Sequence, residues 1–214
     1  MAIIKELNGV MPEIGPRAFI AESAAIIGSV SMGEDCSIWY GAVLRGDVGA
    51  IRLGDRVNVQ DNAILHATYK QSECIIGNDV SIGHGANVHG CIIGNDVIIG
   101  MGAIVMDNTV VPDGTIIAAG AVVPANQKLE PGIYAGIPAK KIKDGSEAVL
   151  AKAHANAQNY LLYIRAGCKV IAGIDIAFWI CLLTSIERSH LRHIHFFKIA
   201  TMCSNRHRHT ISYE

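Results

Sequence analysis

The feature that most constrains the fold is an apolar residue that recurs every six positions along most of the chain. Such a recurrence is typical of a parallel β-helix, in which three short strands make one triangular coil, whereas an ordinary antiparallel sheet alternates with a period of two. At three strands to a coil, the seventeen recurring residues predict between five and six coils. The recurring residues are Ile20, Ile26, Met32, Ile38, Leu44, Leu53, Val59, Leu65, Ile76, Ile82, Val88, Ile93, Ile99, Val105, Val111, Ile117 and Val123.

Short polar triplets follow several of these apolar residues, at the places where a coil must turn. Each begins with glycine and continues with acidic, asparagine or arginine residues, and Gly, Asn and Asp supply the positive φ that tight corners need. The triplets are residues 33–35, 54–56, 77–79 and 94–96. The sequence therefore predicts an all-β solenoid over residues 1–143, with an irregular N-terminal segment and an extended strap over residues 131–142.

The chain changes character after the solenoid. Ser146 is a suitable N-cap for an Ala-rich helix over residues 146–163. Up to residue 163 there are 11 Lys and Arg against 16 Asp and Glu, but residues 164–214 hold 7 against 3. We interpret residues 164–214 as an atypical tail, either non-native or disordered. Its apolar run, residues 170–186, is at the short limit for a membrane span and contains Asp175, so a span is disfavoured.

Composition also bears on location and partners. The N-terminus lacks a charged segment followed by an apolar run, so we expect a cytoplasmic protein without a secretory signal. Six cysteines occur singly, with no Cys-x-x-Cys pair, which favours reduced structural thiols. The solenoid is net negative and shows no recurrent basic stripe, so we expect neither nucleic-acid nor membrane binding.

Three histidines, His66, His84 and His89, lie within one short stretch of the repeat. Neutral imidazole is the commonest protein ligand for zinc, and three imidazoles that leave one position open are typical of a catalytic zinc site. These residues are therefore the candidate metal ligands.

Counting along the repeat predicts how these histidines are arranged. Leu65 and Val88 are 23 positions apart, one coil plus an insertion that fits best in residues 67–73. His66 and His89 directly follow these two residues, so they should stack on adjacent coils about 4.8 Å apart. His84 falls on the preceding side of the triangle. We therefore expect the third ligand to come from another subunit.

Several motifs together resemble the gamma-class carbonic anhydrases over roughly residues 8–163. A strap like that of residues 131–140 also occurs in bacterial hexapeptide acyltransferases. The resemblance implies a left-handed parallel β-helix and a homotrimer with zinc at each subunit interface, bound by His66 and His89 of one subunit and His84 of its neighbour. The motifs are Arg45-Gly46-Asp47, Asn58-Val59-Gln60-Asp61, His66, Ile82-Gly83-His84 and Val88-His89-Gly90-Cys91.

The resemblance also implies a reaction, the reversible hydration of carbon dioxide to bicarbonate. Zinc lowers the pKa of bound water to about 7, which gives a hydroxide that attacks carbon dioxide. Gln60 and Asn58 would orient the water and the substrate, and Arg45 would pair with Asp47 and Asp61 across the interface. Iron(II) or cobalt(II) could occupy the same imidazoles, because affinity alone does not select the metal.

Other interpretations of the same residues stay open. Arg45, Asp47 and Asp61 could form only an interface ion-pair network. Asn58 and Gln60 could only hydrogen-bond the turn backbone or stack as a side-chain ladder. A zinc-dependent thioesterase, a coenzyme A-dependent acyltransferase and a non-catalytic trimeric scaffold are the alternative functions.

In two departures from the family prototype, the chain resembles a short-loop subgroup of the family. The family prototype has a glutamate just after the Arg-x-Asp motif and a long acidic loop, both of which serve proton transfer. Here Val48 takes the place of the glutamate, and Glu73 is the only acid in the insertion. Some members of this subgroup hydrate carbon dioxide and others do not.

Overall fold

The recurring apolar residues line the inside of a parallel β-solenoid of about seven turns, followed by one helix. In this computed structural model residues 1–165 are described. One inward column pairs in register from Ile38 through Val59 and Ile82 to Ile99. All four side chains are fully buried. The predicted fold class is therefore confirmed.

Eighteen strands and one helix make up the described chain. The strands are β1 (Ile3–Lys5), β2 (Phe19–Ile20), β3 (Ala25–Met32), β4 (Ser37–Ile38), β5 (Val43–Leu53), β6 (Asn58–Val59), β7 (Ile64–His66), β8 (Cys74–Ile76), β9 (Ser81–Ile82), β10 (Asn87–His89), β11 (Ile92–Ile93), β12 (Ile98–Ile99), β13 (Ile104–Val105), β14 (Val110–Val111), β15 (Ile116–Ile117), β16 (Val122–Val123), β17 (Gly132–Ala135) and β18 (Lys140–Asp144). The helix is α1 (Glu147–Arg165).

The strands form three walls, one of which is continuous with the next because β5 passes around a corner. The start of β5 pairs with β7, and its end pairs with β8. One wall then runs β7-β10-β13-β16, and another runs β8-β11-β14. The third wall is the separate eight-stranded sheet, in the order β18-β17-β15-β12-β9-β6-β4-β2.

The solenoid is longer than the five to six coils predicted from the recurrence. Strand β1 pairs with β3 in parallel, and Glu13 forms a bridge with Ser31, so the N-terminal segment already follows the first coil. At the other end β17 pairs in parallel with β15. These segments extend the solenoid without carrying the six-residue pattern, which is why the sequence underestimated its length.

The predicted extended strap is in fact a hairpin. Strand β17 extends the eight-stranded sheet, but β18 turns back and pairs with β17 in the antiparallel direction. Gly136, at φ +95°, and Pro138 lie in the connecting turn. Because both residues favour turns, a single extended segment was the wrong interpretation.

Helix α1 covers the eight-stranded wall. The Ser146 hydroxyl accepts a hydrogen bond from the Val149 backbone N–H at 3.3 Å, as expected for the N-cap. Val149 and Ala153 are buried against Ile98 and Ile116 of that wall. The described part of the helix reaches Arg165, two residues beyond the predicted end at residue 163. The predicted tail lies outside the described residues from position 166 onward, and the described chain contains no helix long and apolar enough to span a membrane.

The polar triplets stack at one corner of the triangle and form a ladder, defined here as the Asn-Asp ladder of Asp55, Asn78, Asn95 and Asp113. The Asn78 side-chain oxygen accepts from the Asp55 backbone N–H at 2.8 Å, and the Asn95 oxygen accepts from the Asn78 N–H at 2.8 Å. Asp113 accepts from the Asn95 N–H at 2.7 Å. Each coil thus satisfies a backbone donor of the coil before it.

The glycines of these triplets are needed for close approach, and the positive φ lies elsewhere. Asp79 takes φ +56° and Arg56 takes the same value, so the third residue of the triplet makes the turn. A Cβ added at Gly77 would lie 2.7 Å from the carbonyl carbon of Gly94 on the next coil. Glycine is required there because adjacent coils leave no room for a side chain.

Candidate metal centre

His66 and His89 lie side by side at one corner of the solenoid. They end β7 and β10, and they are register partners on adjacent coils. Leu65 and Val88, which precede them, are fully buried and fix both strands in the core. The His66 Nδ1 and His89 Nε2 atoms are 3.1 Å apart. The predicted stacking is therefore observed.

A carboxylate holds the outer nitrogen of each ring. His66 Nε2 is 2.8 Å from Asp47 Oδ1, and His89 Nδ1 is 2.9 Å from Asp107 Oδ2. Burial by itself raises the pKa of both acids, but hydrogen bonds from His66 and Arg45 leave the pKa of Asp47 below its usual value. Hydrogen bonds from Ser72 and His89 do the same for the pKa of Asp107. Both acids are therefore carboxylates at neutral pH.

These carboxylates determine which ring nitrogens carry protons. An ionised carboxylate only accepts hydrogen bonds, so the outer nitrogen of each neutral imidazole must be the N–H. The inner nitrogens, His66 Nδ1 and His89 Nε2, then both present lone pairs across 3.1 Å. Two lone pairs at this distance repel each other unless a cation or a shared proton lies between them.

The donor set fits a metal ion. Two nitrogens bound to tetrahedral zinc at about 2.0–2.1 Å would be roughly 3.3 Å apart, close to the separation found here. Metal-binding histidines usually donate their other N–H to a carboxylate, as both rings do. We refer to Asp47, His66, His89 and Asp107 as the paired-histidine corner.

His84 lies at a different corner, in the turn between β9 and β10. Its Nδ1 is 2.8 Å from Asp61 Oδ2, and 48% of its side chain is exposed. Gln60 immediately precedes Asp61 on the coil below. We refer to Gln60, Asp61 and His84 as the single-histidine corner.

The three histidines do not converge within one chain. Among residues 1–165, the only group of three close metal-type ligands is Asp79 and Asp96 of the solenoid with His154 of helix α1. Asp79 in that group already accepts hydrogen bonds from Arg56 at 2.8 Å and from Gln158 at 3.1 Å. This cluster fastens the helix to the solenoid.

A partly exposed apolar wall connects the two histidine corners. Strand β10 begins just after His84 and ends at His89, so the wall of β7, β10, β13 and β16 has one corner along each edge. Ile64 on its outer surface is 42% exposed. The outward column consists of Val43, Ile64, Asn87, Ile104 and Val122, paired in register.

The remaining predicted site residues make contacts within the chain. Arg45 pairs with Asp47, whereas the resemblance placed this pair across an interface. The two residues are two positions apart on β5, so they share a face of the strand. Asn58 is buried and donates to Ser81 Oγ at 2.8 Å, and Gln60 donates to Asn58 Oδ1 at 2.9 Å. Both amides are thus hydrogen-bonded to side chains within the single chain.

Sequence reasoning missed Asp107 and Ser72. Asp107 lies 18 residues after His89, which is one coil, so the same counting that paired the histidines would have found it. Ser72 gives no such signal because it belongs to the insertion. A surface groove of about 440 Å³ begins beside this corner, lined in part by residues 70–73, Ile75 and Ile92.

Comparison with known proteins shows that the chain is similar to hexapeptide-repeat transferases and to carbonic anhydrases. Residues 90–125 match the bacterial transferase hexapeptide family (six repeats). The chain is 39% identical over 155 residues to the mitochondrial gamma carbonic anhydrase 1 of Arabidopsis thaliana, covering 70% of this chain but only 56% of that protein. It is 40% identical over 146 residues to a carbonic anhydrase of Geobacillus kaustophilus, covering 68% of this chain and 80% of that protein.

A solved structure supports the same assignment of fold. The hexapeptide transferase family protein of Anaplasma phagocytophilum superposes with a TM-score of 0.71 at 37% identity, covering 77% of this chain and 97% of that one. The similarities to the Geobacillus protein and to the Anaplasma structure both support a left-handed β-helix of hexapeptide repeats. The chain belongs to the gamma-class carbonic anhydrase family of hexapeptide-repeat proteins.

Proposed function

We propose that the protein hydrates carbon dioxide reversibly to bicarbonate, with zinc held between copies of the chain. The observation that carries this proposal is that His66 Nδ1 and His89 Nε2 face each other at 3.1 Å while carboxylates hold the outer nitrogens of both rings. A bound zinc ion would supply Lewis acidity and a water of lowered pKa. Carbonic anhydrase relatives at about 40% identity support this chemistry.

The third ligand in this proposal is His84 of a neighbouring copy. The two corners lie on opposite edges of one wall, so copies packed head to tail against that wall would bring a single-histidine corner to each paired-histidine corner. A contact between unlike edges closes into a ring when the rotation between copies allows it. The partly exposed apolar column of Ile64 and its neighbours is the surface that such packing would bury.

The chain's own residues have defined tasks in this site. Asp47 and Asp107 hold the protons of the outer ring nitrogens, so His66 and His89 keep their lone pairs directed inward. Asp61 Oδ2 lies 2.8 Å from Nδ1 of His84, so we infer that Nε2 of His84 is the atom directed at the metal. We infer that Gln60, which adjoins Asp61, orients substrate with Asn58 behind it. The Arg45 guanidinium fixes the carboxylate of Asp47.

Mixed assemblies give the decisive test. His84→Ala chains keep an intact paired-histidine corner, and His89→Ala chains keep an intact single-histidine corner. The two variants are mixed in equal amounts, unfolded and refolded together. The mixture should regain about one quarter of the wild-type sites, because in a randomly assembled trimer about one interface in four joins an intact paired-histidine corner to an intact single-histidine corner. Zinc content and stopped-flow carbon dioxide hydration are measured, with each variant refolded alone as the control.

The outcomes separate the alternatives. Recovery of zinc and turnover only in the mixture supports sites shared between copies. Full zinc binding by His84→Ala alone would overturn the shared site. Stoichiometric zinc in the wild type without hydration would overturn the proposed reaction and favour a scaffold role.

The groove beside the paired-histidine corner favours one second candidate, a zinc-dependent thioesterase. The volume of this groove, about 440 Å³, is far larger than carbon dioxide requires and falls in the usual range for small-molecule sites. Hydrolysis of an acyl-coenzyme A panel by the zinc-loaded protein, with His89→Ala as the control, tests this candidate. The acyltransferase alternative requires an added acceptor in the same assay.

A further inference from the structure

A chain of hydrogen bonds connects His89 to the insertion that interrupts the repeat. His89 Nδ1 lies 2.9 Å from Asp107 Oδ2, and the Ser72 hydroxyl lies 2.5 Å from Asp107 Oδ1. The Thr68 backbone N–H donates to the Ser72 oxygen at 2.9 Å. Since the Ser72 oxygen already accepts from Thr68 and a carboxylate only accepts, the Ser72 proton must point to Asp107.

Gly90 shows how closely these groups are packed. A Cβ at this position would lie 2.1 Å from Ser72 Oγ and 2.3 Å from Asp107 Oδ1. Gly90 also has φ +54°, a conformation that favours glycine. The residue after His89 must therefore lack a side chain for the insertion to reach the carboxylate.

The arrangement repeats a pattern found at His66. Asp47 holds the outer nitrogen of His66 and is itself fixed by Arg45. Asp107 holds the outer nitrogen of His89 and is fixed by Ser72, a residue of the insertion. Each histidine thus has a carboxylate partner, and each carboxylate has its own donor.

We propose that Asp107 and Ser72 are positioning residues that hold His89 with Nε2 directed at the metal, so that Ser72 is the residue of the insertion 67–73 that belongs to the metal centre. The Ser72 hydroxyl binds one carboxylate oxygen of Asp107, so the other oxygen of Asp107 is directed at His89 Nδ1. This fixes both the tautomer and the orientation of the ring. The inference rests on the proposed function, because it concerns the same metal.

The test measures metal affinity directly. Asp107→Asn and Ser72→Ala are compared with wild type by competition with a zinc chelator and by the visible absorption spectrum of the cobalt(II)-loaded protein. Asp113→Asn, in the Asn-Asp ladder, and Tyr69→Phe, which removes another hydroxyl from the insertion, are the matched controls. Thermal unfolding of each metal-free protein shows whether a variant is folded.

We expect Asp107→Asn to weaken zinc binding by about 10- to 100-fold, the usual effect of losing a partner of a metal-binding histidine. Ser72→Ala should weaken it by about 3- to 10-fold, since one hydrogen bond one step further away is lost. Both variants should alter the cobalt spectrum, whereas both controls should keep the wild-type affinity and spectrum. A merely structural role would change unfolding and leave the spectrum unaltered.

The contrary outcomes are distinguishable. If wild type binds one zinc per chain and Ser72→Ala and Asp107→Asn bind it equally well with an unchanged spectrum, the positioning role is wrong while the proposed function stands. If wild type itself retains no stoichiometric metal, the proposed function fails, and this inference fails with it. Ser72→Ala keeps the question decidable if Asp107→Asn does not fold.

Discussion

The paired-histidine corner and the Asn-Asp ladder are both stacks of polar side chains at corners of the same solenoid, yet they are built on opposite principles. In the ladder, each side-chain oxygen meets a backbone N–H of the neighbouring coil, as Asn78 does for Asp55 at 2.8 Å. At the histidine corner, carboxylates satisfy the outer nitrogens of the two rings, but the inner nitrogens face each other at 3.1 Å. A corner that only stabilises the fold completes its hydrogen bonds internally, whereas a corner that binds a ligand leaves one position for it.

The largest effect that this comparison predicts is on metal binding by the histidine corner. His89→Ala should weaken zinc binding by more than about 100-fold, because losing a ligand exceeds the loss of a ligand's partner. Folding should be retained, since the His89 side chain is outside the core. Metal analysis after chelator dialysis measures the first effect and circular dichroism the second. Zinc retained at wild-type level would show that the two inner nitrogens are not ligands.

The next effect concerns the carboxylate behind His66. Asp47→Asn should weaken zinc binding by about 10- to 100-fold, because an amide can offer its NH₂ to His66 and so favour the wrong tautomer. Chelator competition measures the affinity, and Asp55→Asn in the ladder is the matched control. Equal losses in the two variants would mean that charge near the solenoid, and not the contact with His66, sets the affinity.

The ladder corner should respond in stability instead. Gly77→Ala places a Cβ 2.7 Å from the backbone of Gly94, so we expect it to lower the free energy of unfolding by about 1–3 kcal/mol without changing zinc affinity per folded chain. Urea denaturation monitored by circular dichroism measures the loss. Gly102→Ala, where a Cβ would meet nothing within 4 Å but φ is +64°, separates crowding from backbone strain. If Gly102→Ala lowered the free energy of unfolding more than Gly77→Ala does, backbone strain would outweigh crowding as the cause of the loss.

The smallest effect is the pH dependence of an ion pair beside the ladder. Arg17 donates to Asp35 at 2.9 Å and lowers the pKa of that carboxyl below its usual value. The pair therefore contributes stability that is complete above the unfolded carboxyl pKa of about 3.9 and is lost as the pH falls through the lower folded pKa. The contribution is small because 57% of the Arg17 side chain is exposed to screening solvent.

Comparing the unfolding of wild type and Asp35→Asn across pH checks this expectation. The difference in free energy of unfolding should be constant from about pH 7 to pH 5 and shrink below about pH 4. A difference that persists into strong acid would indicate packing of the side chain and not its charge.

The sequence was sufficient wherever structure follows the period of the coil. Counting placed Leu65 opposite Val88 and hence His66 beside His89, and the same count leads from His89 to Asp107. The in-chain pairing of Arg45 with Asp47 did not follow from the family pattern, because that pattern describes an assembly. The contact of Ser72 with Asp107 could not be predicted, since the path of the insertion has no period.

The insertion also shows how this architecture can change over evolution. Strands β7 and β10 keep their register although 23 residues separate His66 from His89, and β8 resumes pairing directly afterwards. Because the entropy of closing a loop rises only by about 0.6 kcal/mol for each doubling of its length, residues can be added here at little thermodynamic cost. A lineage could therefore lengthen this loop and give it new acidic groups in small steps, provided that a hydroxyl still reaches Asp107.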